Sequence, residues 1–301
     1  MRIALAGIGK IALDQHVPAL AASPDWDLAA TVSRSGSVPG IPAFADFASF
    51  LAARPDIPAV SLCMPPQPRF AHAEAALRAG RHVMLEKPPG QTLAEVHALA
   101  ALAAERGVTL FATWHSRMAH AVEPARAWLT GRRIRSARVT WAEDVRHWHP
   151  GQDWVFEPGG MGVFDPGINA LSILTRILPA PLRLLAAELE IPSNRQTPIA
   201  ARLAFAGDVT AELDWRVTRG QRWDIEVATD DGTLLLAAGG ARALVDGRLL
   251  AEGPNREYAR LYARMAELVA AGRSEVDLAP MIHVADAFTL GRRNRTDAFD
   301  W

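Results

Sequence analysis

The chain reads as an α/β protein in two parts, a doubly wound parallel sheet over residues 1–118 and an α+β domain with a mainly antiparallel sheet over residues 119–301. Three observations predict this. Short apolar runs alternate with helix-period segments through the first part, the pattern of parallel strands joined by crossover helices. The first run opens into G-I-G-K-I-A at residues 7–12, a glycine turn between strand and helix. After about residue 118 the texture changes to extended runs separated by turn signals such as A-G-D, T-R-G and D-D-G.

In order along the chain, the strand-like runs of the first part are residues 2–7, 28–33, 59–63, 81–86 and 108–113. Helical segments fall between them at residues 45–53, 70–80 and 92–107. The last two end in glycine, the usual helix stop, and Thr92 with Glu95 forms a capping-box pattern. In the second part a helix over residues 121–129 leads to an extended run at 134–145, then to an aromatic loop rich in Gly and Pro. A helix follows Asp165, where an acidic N-cap, a proline at the first helical position and an apolar periodic run coincide. Strands succeed one another from about 183 to 250, and helices near 256–272 and 280–293 close the chain.

With 301 residues, half of them hydrophobic and 22% charged, the chain has the composition of an ordinary soluble globular protein. A formal net charge of -1 gives no electrostatic reason to expect nucleic acid or an anionic membrane as partner. The single cysteine, Cys63 in V-S-L-C-M, excludes an intramolecular disulfide and is expected to be a buried structural thiol. The N-terminus reads as a core strand and not as a signal peptide, and no apolar run is long enough to span a membrane, so a cytoplasmic location is expected.

Gly7, Gly9 and Ala12 match G-x-G-x-x-G/A, which lets backbone approach a pyrophosphate at a helix N-terminus. Lys10 and Ile11 lie in the same turn. At the end of the second strand, where a NAD-specific site usually carries Asp or Glu, stand Ser33 and Arg34. A hydroxyl and a guanidinium there favour the 2′-phosphate of NADP, with NAD tolerated. The fourth strand runs into E-K-P-P-G, which puts Lys87 at the carboxyl end of a parallel strand, where ligands bind in such sheets. His147 and His149 have a spacing that suggests zinc, but no nearby cysteine or third histidine completes a site, and no metal is expected.

Together G-I-G-K-I-A, the C-M-P-P of residues 63–66, H-V-M-L-E-K-P and the later helix start F-D-P-G-I-N resemble the glucose-fructose oxidoreductase and inositol dehydrogenase family (Gfo/Idh/MocA) across the whole chain. The resemblance implies an N-terminal Rossmann domain and an open-faced second domain through which members associate, here as a homodimer. It also implies a cofactor contact from Pro65, Pro66 and Glu86, and a lysine, Lys87, directed at nicotinamide and substrate. The family motif D-x-x-x-H falls on Asp165 and Asn169, so this chain has Asn where the family has a proton-exchanging His.

Within the family, Asn169 together with W-H-S (114–116), residues 143–152 and Q-T-P-I-A (196–200) is similar to the bacterial aldose 1-dehydrogenases. That implies oxidation of an aldose such as L-arabinose or D-galactose at its anomeric carbon to the aldonolactone, with Asp165 as base, Lys87 polarising the hydroxyl and Asn169 orienting the sugar. Lys87 as relay base is the second assignment. Expected sugar contacts are Lys87, His115, Glu143, Trp148, His149, Trp154, Asp165 and Asn169. The same residues also fit a dehydrogenase of inositol or another polyol. A non-catalytic regulator that binds nucleotide and sugar is a third fit, one that retention of Lys87 and Asp165 disfavours.

Overall fold

A computed structural model describes residues 1–300, which form two compact units. The first unit begins with β1 (Arg2–Ala6), one π turn (Ala12–His16) continued by α1 (Val17–Ala21), β2 (Asp27–Val32), β3 (Ala43–Phe44) and α2 (Phe47–Ala53). It continues through β4 (Ala59–Leu62), α3 (Pro66–Arg78), β5 (His82–Leu85), α4 (Leu93–Arg106) and β6 (Leu110–Ala112). All five strand pairings are parallel, in the order β3-β2-β1-β4-β5-β6. The order reverses between β1 and β4, which opens a crevice at the carboxyl ends of those strands.

Alternation along the strands supplies both cores. Ala4, Ala6, Val60, Leu62, Val83 and Leu85 bury one face together with Leu77 and Leu99. Leu5 turns to the other face with Ile8, Ala12 and Cys63, the free and buried thiol. The capping box of α4 forms as the sequence predicts, and Gly107 ends that helix in the left-handed conformation at φ 64°. The two-residue strand β3 was not legible as a strand, because two residues carry no period.

The chain then builds the second unit: α5 (Val122–Leu129), β7 (Ile134–Ala142), α6 (Val145–Trp148), α7 (Phe164–Ile177), β8 (Leu184–Pro192), β9 (Ala200–Phe205) and β10 (Val209–Asp214). It goes on through β11 (Arg222–Thr229), β12 (Gly232–Ala237), β13 (Arg242–Val245) and β14 (Arg248–Glu252). Next comes α8 (Glu257–Ala270), and α9 (Ala279–Leu290) and β15 (Arg292–Thr296) complete the fold. The nine strands are ordered β14-β13-β12-β11-β7-β10-β9-β8-β15, with only β7/β10 and β8/β15 parallel. In β7, Ala137, Val139 and Trp141 are buried and Arg138 between them is exposed, so one face of the sheet carries the core.

One expectation is corrected here. The second domain was expected to run unbroken from residue 119, whereas the first unit comprises Met1–His115 with Glu257–Asp277. Tyr258, Leu261, Tyr262, Met265 and Leu268 form the buried stripe of α8. The chain beyond it lies along β6, where the Glu275 N–H donates to the Leu110 carbonyl and the Ala112 N–H to that of Glu275. Periodicity reveals that a helix buries one face, not which sheet receives it.

Candidate functional site

In the first unit the candidate cofactor residues stand at the carboxyl ends of adjacent parallel strands: Gly7 to Ile11 after β1, Ser33 and Arg34 after β2, Pro65 and Pro66 after β4, Glu86 and Lys87 after β5. Gly7 has φ 88°, and a Cβ on it would collide with the Met64 backbone nitrogen, so only glycine closes this turn against the neighbouring strand end. A Cβ on Gly9 would meet nothing within 4 Å, which leaves the helix N-terminus open to a pyrophosphate. Ser33 Oγ accepts the Gly36 N–H at 3.1 Å and shapes the loop, while Arg34 is exposed and has no ionic partner among the described residues. Lys10 is exposed and pairs with Asp14 one turn along its own helix. These residues therefore fit a phosphorylated dinucleotide.

Lys87 is half-buried and its backbone is tied on both sides. The guanidinium of Arg69, a buried residue on α3, donates to the carbonyls of Met64, Glu86 and Pro88. The Lys87 N–H donates to Glu86 Oε2 at 2.6 Å, and the Tyr258 hydroxyl donates to Glu86 Oε1 at 2.6 Å. His16 lies within the same unit with Nε2 3.3 Å from Glu86 Oε1 and Nδ1 2.7 Å from the Tyr262 hydroxyl. His115, beyond β6, places Nδ1 2.6 Å from Glu257 Oε2 and stacks on the Tyr258 ring.

Burial alone would raise the Glu86 pKa, but the hydrogen bond and charge of His16, the charge of His115 and the Tyr258 hydroxyl outweigh it and hold the carboxyl well below its usual range. For His16 burial acts downward, and Cys63, Tyr262 and Glu86 reverse the sign and raise it well above 6.5. A depressed carboxylate stabilises the fold above its unfolded value of 4.5, and a raised imidazole does so below 6.5, so both contributions are complete between those values. The thermal midpoint is expected to fall as pH rises above 6.5 through the raised His16 value, and His16→Gln to flatten that alkaline limb in calorimetry.

The second unit gathers the polar and aromatic residues. β7 and β10 end side by side, with the Glu143 N–H donating to the Asp214 carbonyl at 3.0 Å, and Glu143 and Trp215 are the next residues of each. The buried Glu143 carboxylate accepts two indole N–H groups, from Trp215 at 3.1 Å and from Trp223 at 2.6 Å. Trp148, 42% exposed, meets Trp223 edge-on and donates its indole N–H to Gln221 at 3.1 Å. His147 is exposed at the edge of Trp148. Among the described residues no three His, Cys, Asp or Glu side chains converge as a metal site.

Asp165 is not an N-cap. Helix α7 starts at Phe164, its cap Val163 makes no side-chain bond, and the buried Asp165 lies within the first turn. Its Oδ2 stands 3.2 Å from Nε2 of His149, whose ring meets Trp215 at 5.2 Å. Gln152 Oε1 lies 3.3 Å from the Trp154 indole nitrogen and 3.3 Å from His149 Nδ1. An indole only donates, so the atom facing it is the amide oxygen, and Nδ1 must donate to it as well. Nε2 is the ring nitrogen that faces the Asp165 carboxyl. Asn169, one turn along α7, has a buried Oδ1 that accepts no hydrogen bond among the described residues.

A glycine turn open at a helix N-terminus and a lysine at the carboxyl end of a neighbouring parallel strand fit an oxidoreductase that works with a dinucleotide. The family profile described as "Oxidoreductase family, NAD-binding Rossmann fold" matches residues 1–113. The chain is 42% identical to a galactose 1-dehydrogenase of Pseudomonas fluorescens, over 99% of this chain and 98% of that one. It is 53% identical to a D-galactose-1-dehydrogenase from Rhizobium etli of known crystal structure, with a TM-score of 0.96 and coverage of 99% and 97%. A 3-ketoreductase from Actinomadura kijaniata, solved with NADP and TDP-benzene, shares the fold at a TM-score of 0.84 and 21% identity over 98% and 99% of the two chains. The protein belongs to the Gfo/Idh/MocA oxidoreductase family.

Sequence reasoning missed Arg69, His16, Tyr258, Tyr262, Trp215 and Trp223. Only Arg69 carried a signal, as the first charge after C-M-P-P. The others lie on elements whose place beside the site is decided by tertiary packing.

Proposed function

We propose that the protein oxidises the anomeric carbon of D-galactose, and of L-arabinose, to the aldonolactone with NADP⁺, NAD⁺ serving less well. One observation carries the reading: the 3.2 Å approach of His149 Nε2 to Asp165 Oδ2, which pairs the buried carboxyl with the imidazole that the helix motif itself lacks. Whole-length likeness to two galactose 1-dehydrogenases supports the substrate class. L-Arabinopyranose has the galactose ring without the exocyclic hydroxymethyl, so a pocket that reads ring hydroxyls accepts both.

When bound, the oxidised nicotinamide accepts the hydride that leaves the anomeric carbon. Asp165 takes the proton of the anomeric hydroxyl, with His149 3.2 Å away turning the carboxylate toward it. Lys87 donates to the same oxygen and steadies its developing negative charge. Asn169 Oδ1 accepts from a ring hydroxyl and fixes orientation. Trp148 and Trp154 offer flat apolar surface to the ring, with His115 and Glu143 as polar contacts. Ser33 and Arg34 bind the 2′-phosphate of NADP, with Gly7, Gly9, Lys10, Ile11, Pro65, Pro66 and Glu86 completing the cofactor contacts.

Assays of nicotinamide reduction with L-arabinose, D-galactose, D-xylose, D-glucose and myo-inositol, each with both cofactors, test the reading. Turnover confined to the first two sugars is expected, and turnover with inositol alone would overturn it. Arg34→Ala is expected to raise KM for NADP⁺ about tenfold or more with KM for NAD⁺ little changed, since a charge-assisted contact to phosphate is lost.

We further propose a homodimer formed through the second face of the nine-stranded sheet. Support comes from its side chains of both signs on neighbouring strands, Arg138 beside Glu226 and Arg202 beside Glu212. Light scattering at the mass of one chain would exclude it. No helix among the described residues is long and apolar enough to cross a membrane, and we assign the enzyme to the cytoplasm.

A further inference from the structure

We infer that Tyr258 and His16 are positioning residues for Lys87, acting through the Glu86 carboxylate. The inference rests on the role proposed for Lys87 above. Both residues lie far from Lys87 in the sequence, and neither belongs to a motif of the chemistry.

The geometry is a buried chain of hydrogen bonds. Tyr262, His16, Tyr258 and Glu86 are 0, 0, 5 and 3% exposed. Tyr262 meets His16 Nδ1, His16 Nε2 and the Tyr258 hydroxyl meet Glu86 Oε1, and Glu86 Oε2 receives the Lys87 N–H. A carboxylate removed from water keeps its charge only if donors surround it, and these donors also fix how it is turned. The oxygen left for Lys87 is therefore held in one place. The flanking carbonyls of Glu86 and Pro88 are bound by Arg69, so the main chain on both sides of Lys87 has no freedom to tilt. An ammonium that must act on a reacting oxygen depends on such placement, because small displacements cost large factors in rate.

Other groups face the network. Ser61 and Cys63 approach Tyr262 and His16 from the end of β4. His115 and Glu257 lie on the far side of the Tyr258 ring. A purely structural role would be to hold α8 against its sheet. Tyr258→Phe separates the two, since the ring, its burial and its stacking on His115 remain while the hydroxyl is removed.

Two readouts decide. In the segment from Glu86 to Gly90 the prolines carry no N–H, so residue-resolved hydrogen exchange follows Glu86, Lys87 and Gly90, and the Lys87 amide is the one that reports on Glu86 Oε2. Tyr258→Phe is expected to speed the Lys87 component about tenfold, the worth of one hydrogen bond to a charged group. It is also expected to lower kcat about tenfold with KM for the sugar within about twofold, and to move the acid limb of the kcat profile to higher pH, because Glu86 loses a donor. His16→Gln, which keeps an N–H toward Glu86, is expected to retain far more activity than His16→Ala. A folded Tyr258→Phe with unchanged kcat would overturn the inference, whatever its exchange rate, and so would equal loss in the two His16 variants. If the unaltered protein oxidises no sugar, the functional reading fails, and exchange at Lys87 still judges the positioning on its own.

Discussion

Lys87→Met is expected to lower kcat by about three orders of magnitude while NADP⁺ affinity stays within a few-fold. Methionine keeps the length and the apolar stem and removes only the charge and its donors. The main chain at Lys87 is clamped by Glu86 and Arg69, so the substitution leaves the strand end in place. Steady-state kinetics together with cofactor titration by tryptophan fluorescence check it. Loss of cofactor binding with preserved turnover at saturation would make Lys87 a nucleotide anchor and not a group acting on the reacting oxygen.

The second large effect concerns the pair of Asp165 and His149. Asp165→Asn and His149→Asn are each expected to reduce kcat by about a hundredfold or more, the usual worth of a positioned acid or base. The double variant is expected to be no slower than the more damaged single one, because each substitution alone already breaks the pair. Fully additive losses would mean that the two side chains act independently, and their 3.2 Å approach would then be incidental to the chemistry.

The parallel sheet was legible because each of its central strands is an apolar run bounded by turn signals, and α4 announced both its ends with Thr92, Glu95 and Gly107. The assignment of α8 was not, since its buried tyrosines fit any apolar surface until the sheet that receives them is known. At Asp165 the sequence pointed to a cap, and the helix begins one residue before it, which places the carboxylate in the first turn opposite His149. Glu143 shows the same limit from another side. It reads as a hydrogen-bonding group for a sugar, and its two indole donors lie 72 and 80 residues further along, one just past the end of β10 and one on β11, whose register only the folded sheet fixes. The carboxylate thus holds two tryptophans as well as any ligand it meets.

The central claim is that hydride leaves the anomeric carbon. D-Galactose carrying deuterium at that carbon alone, incubated with NADP⁺ and the enzyme, tests it in one mass spectrum. The account predicts deuterium in the reduced cofactor, a slower kcat than with unlabelled sugar and a lactone or its hydrolysed acid as product. Deuterium retained in an oxidised sugar, with unlabelled reduced cofactor, would place the oxidation at another carbon and contradict it.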